Sequence, residues 1–426
     1  MNIDNEPTRP SLGNLAAELL EGIAQHLKTE DFRQFRLVSR GFYTSTFHVF
    51  AKRHFSMQRT DLSRASLGRF QAFCAHSKLA SYVKHLTITA EVTSGGVFFA
   101  DGFDWRRSPS GQLVIPQNFL NGWKDALQRM PNCTSFRLKR PLNVCLETIM
   151  DDLDGPDDPE PESTFPALTP TETFMALQRI LGAARTLVEE FELLFIWNHP
   201  LQMSSIDISY LQNPSFITSW SKLRKFEMQV KVSTDAQADY IAQLVTMASS
   251  LEYLSLNVDF GNRTGRLIRN LSSMATATGD GPNRRPPPFK LKEIRLRTAC
   301  ITLEELCGFL THHRGTVHTL VLGDIHLSPG GTIPFLRALR DDGFSALRAL
   351  TLQYLCECTG SGGNIDSHMG VVFPGIGEAV GERALCYVVH DFGTRTRPLA
   401  FLSYEGTNMV GVLQRLVDTV RIVAPQ

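Results

Sequence analysis

No run in these 426 residues approaches 18 consecutive apolar positions, so nothing in the chain reads as a membrane-spanning helix. The first ten residues, MNIDNEPTRP, lack the apolar centre of a secretory signal. Net charge is missing too: 43 Lys and Arg stand against 43 Asp and Glu, with a pI of about 7.2. No overall field draws the chain to nucleic acid or to an anionic membrane, and neither is expected as a partner. The eight cysteines (74, 133, 145, 300, 307, 356, 358 and 386) follow no regular spacing. Without an export signal they read as reduced core residues, in a chain expected in the cytoplasm, the nucleus or both. Cys356 and Cys358 form a lone Cys-x-Cys without a second pair or flanking histidines, short of the four ligands of a structural zinc.

Catalytic signatures are equally sparse. Asp391-Phe392-Gly393 has no upstream glycine-rich phosphate loop and no His-Arg-Asp loop to accompany it. Gly360-Ser361-Gly362-Gly363 lacks the Lys-Ser/Thr of a phosphate cradle. His312-His313 has no carboxylate at metal-ligand spacing, and no Gly-x-Ser-x-Gly elbow is present. The expectation is a protein without catalytic residues, metal or cofactor. What the chain does hold is apolar residue: 42% hydrophobic at a mean hydropathy of −0.10, the balance of a globular protein.

The densest apolar patterning lies in residues 11–55. Leu15, Leu19, Ile23 and Leu27 recur every four residues, and Leu20 and Ala24 widen the stripe, as one helix face requires. Thr29 with Glu30 and Asp31 opens a second helix, its acids at the positive end of the helix dipole; Phe32, Phe35 and Val38 form its apolar side. Ser39 can cap a third helix carrying Phe42, Phe47, Phe50 and Phe55. A unit of about 45 residues is near the lower limit of independent stability, so a stripe this wide is expected to dock onto something. The basic stretch that follows (Lys52, Arg53, His54, Arg59, Arg64, Arg69) reads as a solvated helix face.

These residues resemble the F-box. The order Leu-x-x-Glu-Leu-Leu-x-x-Ile-x-x-x-Leu matches at Leu15, Glu18, Leu19, Leu20, Ile23 and Leu27. An acidic turn at Asp31 follows, then Arg36-Leu37-Val38-Ser39-Arg40 and Phe42. The family's usual Leu-Pro pair is Leu15-Ala16 here; proline at a first helical turn only presets the backbone. The resemblance implies binding to the Skp adaptor of a cullin ubiquitin ligase through Leu12, Leu15, Ala16, Leu19, Leu20, Ile23, Leu27, Phe35, Val38 and Phe42. Its partners would then be that adaptor, the cullin scaffold and a protein substrate.

From residue 83 onward an apolar-x-x-apolar-x-apolar phrase recurs eight times: Val83-Leu86-Ile88, Cys133-Phe136-Leu138, Val188-Phe191-Leu193, Leu223-Phe226-Met228, Leu251-Leu254-Leu256, Leu291-Ile294-Leu296, Val317-Leu320-Leu322 and Leu347-Leu350-Leu352. Each predicts a short half-buried strand. Helical stretches such as Phe119–Met130, Thr173–Arg185, Ala236–Ser249, Leu303–His313 and Ile333–Arg340 lie between them. The phrase resembles the leucine-rich repeat, but its spacing is irregular and the asparagine or cysteine expected three residues after the last leucine is missing.

The predicted fold class is therefore α/β: an N-terminal three-helix unit followed by an irregular leucine-rich-repeat-like solenoid, or horseshoe. Expected boundaries are a flexible tail at 1–10, the F-box at 11–55, a linker helix at 56–82, repeats at 83–370 and a closing cap at 371–426. Loops interrupt the repeats at 151–165, 276–288 and 358–370. Side chains flanking each phrase's last apolar residue should form one polar wall about 4.8 Å per strand wide. The wall would hold Arg137, Lys139, Glu190, Glu192, Lys225, Glu227, Tyr253, Asn257, Glu293, Arg295 and Arg297 and is the expected substrate surface. Two readings remain open: a ubiquitin-ligase substrate receptor, and a non-catalytic scaffold with no ubiquitin role, in which the repeats hold a partner and the helical unit caps them. For any single wall residue a cross-strand ion pair is the alternative to partner contact.

Overall fold

The computed structural model describes residues 12, 15–89, 102–109, 111–139, 168–194, 201–203, 206–258, 263–276, 289–358, 369–374, 384–390 and 398–423. The expected tail at 1–10 and loop at 151–165 fall outside these residues, as does nearly all of the loops at 276–288 and 358–370.

Four helices open the chain: α1 (Ala17–His26), α2 (Thr29–Leu37), α3 (Arg40–Ser45) and α4 (Phe47–Phe55). The expected third helix divides in two at Thr46. There the backbone departs from helical angles (φ −95°, ψ 9°), while the Thr46 N–H and hydroxyl both donate to the Phe42 carbonyl, at 3.0 and 2.6 Å. Ser39 caps α3 as predicted, accepting from Phe42 N–H at 3.1 Å. Ala24, Phe32 and Val49 form a small core of their own, with Leu27, Phe35 and Phe50 packed around it.

Residues 56–82 are not one linker helix. They hold a strand, β1 (Met57–Thr60), then α5 (Arg64–Cys74) and α6 (Ser77–Ala80), separated at His76. After them strands and helices alternate: β2 (His85–Thr89), a small hairpin of β3 (Arg106–Arg107) and β4 (Leu113–Val114), α7 (Gln117–Gln128), β5 (Ser135–Lys139), α8 (Pro170–Ala184), β6 (Glu190–Leu194), α9 (Pro214–Trp220), β7 (Lys225–Val230), α10 (Asp235–Thr246), β8 (Tyr253–Val258), α11 (Thr264–Thr276), β9 (Glu293–Ile301), α12 (Leu303–His312), β10 (Thr319–Leu327), α13 (Thr332–Asp341) and β11 (Ala349–Gln353). The chain closes with β12 (Cys356–Glu357), β13 (Met369–Val372), β14 (Ala384–His390), β15 (Pro398–Glu405), α14 (Met409–Thr419) and β16 (Arg421–Val423).

The main sheet runs β1-β2-β5-β6-β7-β8-β9-β10-β11-β15-β14. Along this path from β1 to β11 every pairing is parallel and follows chain order, with only the β3–β4 hairpin set aside between β2 and β5; β15 and β14 close that end antiparallel. A branch of β12, β13 and β16 leaves from β10. The eight phrases stack in register, with Leu86, Phe136, Phe191, Phe226, Leu254, Ile294, Leu320 and Leu350 side by side. Every apolar residue of the phrases is at most 2% exposed. Successive helices cover that face: α5 on α7, α7 on α8, α8 on α9, then α10 through α14 in order. Trp220 ties two of them by donating Nε1–H to the Leu244 carbonyl at 2.8 Å.

Three helices start with a capping box: Thr169 with Glu172, Thr234 with Gln237, Thr302 with Glu305. Among the described residues no helix is long and apolar enough to cross a membrane.

Candidate protein-docking surfaces

Twelve large apolar side chains are exposed among the described residues, and six of them (Leu12, Leu19, Ile23, Leu37, Val38 and Tyr43) belong to the helical unit. The others, from Met57 to Val410, are scattered over the rest of the chain. Leu37 and Val38 are 75% and 69% exposed at the end of α2. Leu19 and Ile23 lie one helical turn apart on α1 and share a face. Of the predicted adaptor contacts, Leu12, Ala16, Leu19, Ile23 and Val38 are exposed, while Leu15, Leu27 and Phe35 are half-buried. Leu20 and Phe42 are corrections: at 3% and 4% exposed they are interior residues. Leu20 and Ala24 share the inward side of α1, and Phe42 stacks on Phe35 with ring centroids 4.7 Å apart. Leu37 and Tyr43 were not among the predicted contacts; a stripe pattern does not say which apolar residue a small core leaves outside.

Arg36, inside the resembling motif, is 6% exposed. Its guanidinium lies 3.6 Å from the Phe50 ring centroid and 4.4 Å from that of Tyr43, a cation–π sandwich. Its Nε and Nη2 groups are buried without acceptors. Burial holds its pKa below the ordinary guanidinium value. The unit joins the rest of the chain through Phe47 and His48 against Tyr82, and Phe55 stacked on Phe73. Beside that joint runs an open groove of about 950 Å³ whose charged lining, Lys52, Arg53 and Lys84, is entirely basic.

The second surface is the polar face of the sheet, set out in rows by the register. One row holds Ser135, Glu190, Lys225, Tyr253 and Glu293; the next holds Arg137, Glu192, Glu227, Ser255 and Arg295. These rows are internally paired. Glu192, 5% exposed, accepts from Arg137 Nη2 at 2.9 Å and from Lys225 Nζ at 2.7 Å. Burial alone would raise the Glu192 carboxyl, yet those two hydrogen bonds hold it below the usual range. Glu293 binds Arg295 at 2.7 Å, Glu190 accepts from the Ser135 hydroxyl at 3.0 Å, and Glu227 lies 4.0 Å from Lys225. Tyr253 carries Lys225 and Arg295 over its ring at 5.3 and 5.5 Å.

The third row differs. It holds Lys139, Leu194, Gln229, Asn257, Arg297, Gly323 and Gln353. Lys139 and Arg297 make no ion pair among the described residues, and Asn257 Oδ1 is buried without a donor. Gly323 leaves a shelf beside Arg297, whose Cγ lies 3.2 Å from where a Cβ would stand. This row therefore differs from the other two in holding two cations without an ion pair among the described residues. Among the described residues no group of three or more His, Cys, Asp or Glu side chains could hold a metal ion.

Compared with known proteins, the chain matches no family model and no curated protein.

Proposed function

We propose that this chain is the substrate receptor of a Skp–cullin–F-box ubiquitin ligase: the N-terminal helices take the adaptor, and the polar sheet face takes a protein substrate. One observation carries the reading. Half of the exposed large apolar side chains lie on a helical unit with its own small core, an arrangement that leaves apolar surface for a partner to cover. The resembling motif in residues 15–42 says which partner, and catalysis would reside in other subunits. On this reading the chain-ordered strands and helices form an irregular leucine-rich-repeat-like solenoid, a class of fold that binds proteins along its sheet.

The test is co-purification of the full chain with a Skp adaptor. The unmodified protein should retain it, and Leu19→Asp with Ile23→Asp should weaken binding roughly tenfold or more, as loss of buried anchors does. Both residues are exposed, so circular dichroism should not change. No adaptor binding by the unmodified chain would overturn the reading.

The self-paired rows around Glu192 favour a second reading, a scaffold with no ubiquitin role whose helical unit caps the sheet. On that reading, deleting residues 1–55 unfolds the remainder. The separate cores of the two regions support the opposite outcome: a 56–426 fragment, which retains β1, should stay folded.

A further inference from the structure

A second kind of site lies at the far end of the strands, and it does not depend on adaptor binding. Three neighbouring strands each turn at one left-handed residue: Thr298, Asp324 and Tyr354, with φ of 55°, 56° and 56°. Beyond these turns Cys300, His326 and Cys356 stand in one row across β9, β10 and β12. The chain then runs on to Cys358, whose N–H donates to the Leu327 carbonyl at 2.8 Å. There the sulfur atoms of Cys300 and Cys358 lie 3.9 Å apart. Glu357, 1% exposed, anchors this segment by accepting from Gly330 N–H at 2.7 Å and Thr332 N–H at 2.9 Å.

We propose that Cys300 and Cys358 are a reversible redox site, a dithiol that a small disulfide such as glutathione disulfide converts to an intrachain cross-link. Bond formation closes the sulfurs from 3.9 Å to about 2.05 Å, and because β10 lies between the two segments it also draws the segment after β12 toward β9. Their roles differ. The hydrogen bond between the two sulfurs holds the Cys300 thiol below the ordinary thiol value against burial, with His326 assisting. The same bond, with burial, raises Cys358. Burial pushes the Cys307 thiol up to about 11 and the Cys133 thiol up to about 12. Cys300 is also the more accessible of the two, Cys358 being buried, which makes Cys300 the attacking thiolate and Cys358 the resolving thiol.

In the first step Cys300 attacks one glutathione sulfur, the glutathione S–S bond breaks, and one glutathione thiolate leaves. Cys358 then gives up its proton and attacks Cys300 Sγ, expelling the second glutathione. Two cysteine thiols are oxidised, and one glutathione disulfide is reduced to two thiols. The product fastens β9 to the segment after β12 across β10, three residues beyond Arg297 of the third row.

The experiment equilibrates the full chain in glutathione buffers near neutral pH, traps free thiols with N-ethylmaleimide and maps the peptides by mass without reduction. The expected result is one dominant 300–358 cross-link, reversed by dithiothreitol, absent in Cys300→Ser and in Cys358→Ser and retained in Cys307→Ser. Limiting iodoacetamide at about pH 7 should alkylate Cys300 roughly tenfold or more faster than Cys307. Cross-links scattered among the other cysteines would overturn the proposal. So would oxidation that stops at a Cys300–glutathione mixed disulfide with Cys358 still open to alkylation. The mapping of the unmodified chain decides between these outcomes even where a serine variant folds poorly.

Discussion

The helical unit and the strand–helix region spend similar apolar residues in opposite ways. In the sheet, all eight phrases are buried, and their middle residues form one line from Leu86 to Leu350. In the helical unit, three residues make a core, while Leu19, Ile23, Leu37 and Val38 face outward. A four-helix unit of this length cannot surround its own stripe, whereas each added strand of the sheet covers the one before it. The same leucine is structural in one region and available in the other, and burial rather than pattern separates the two.

The largest test of that contrast is in the sheet. Phe226 is fully buried and stacked on Phe191 at 6.2 Å; Phe226→Ala should cost about 3–5 kcal/mol of unfolding free energy in urea. Leu19→Ala, at an exposed position, should change it by less than about 0.5 kcal/mol. Equal losses would erase the distinction.

Charge sharpens it next. Glu192→Ala strips the acceptor from Arg137 and Lys225, whose side chains are 34% and 31% exposed. A fully buried pair would lose more, so with solvent screening about 2 kcal/mol is expected from denaturation midpoints.

Acid separates the regions by their histidines. His313 is 3% exposed between Phe289 and Phe309, and burial lowers its pKa to about 3. The unfolded chain therefore binds the proton first, and stability falls as pH drops from about 6.5 toward 3. Between about pH 7 and 5 the unmodified chain should lose about 2 kcal/mol more than His313→Leu in paired urea titrations. His54 of the helical unit is lowered too, by burial and then by Arg33, Arg53 and Arg36. It is only half-buried, so His54→Leu should remove a smaller part of the acid loss.

The smallest effect concerns Ala16. Its φ of −59° suits proline, and its N–H donates to nothing among the described residues. Ala16→Pro should raise stability by about 0.5 kcal/mol, read as a small upward shift in melting temperature.

Much of the sheet was legible in the sequence because a buried strand with two-residue alternation announces itself. The eight phrases mark eight of the nine parallel strands on the path from β1 to β11, and the paired strands near Leu385–Val389 and Leu399–Tyr404 match β14 and β15. The ninth parallel strand, β1, was not legible, since Met57-Gln58-Arg59-Thr60 carries no apolar alternation. The break at Thr46 is a local change of backbone angle that apolar spacing does not show. Asn213 before Pro214 is a capping signal that would have marked α9. Of the candidate sites, the docking stripe was visible but its inner and outer residues were not, hence Leu20 and Phe42. The charges of the wall were visible, but which neutralise each other depends on a register that joins Glu192 to residues 55 and 33 positions away.

Because the path from β1 to β11 follows chain order, synthesis and assembly can proceed in the same direction. Once residue 139 has left the ribosome, β1, β2 and β5 have every strand partner they need except the next one to emerge. Within this run each finished strand waits only for the next strand of the run, so the nascent chain extends the sheet at one growing edge. That edge is covered last by β15, which arrives antiparallel and ends the addition of parallel strands. Slow or failed translation between β5 and β11 would leave a shorter sheet with an open edge, the form most exposed to wrong pairing.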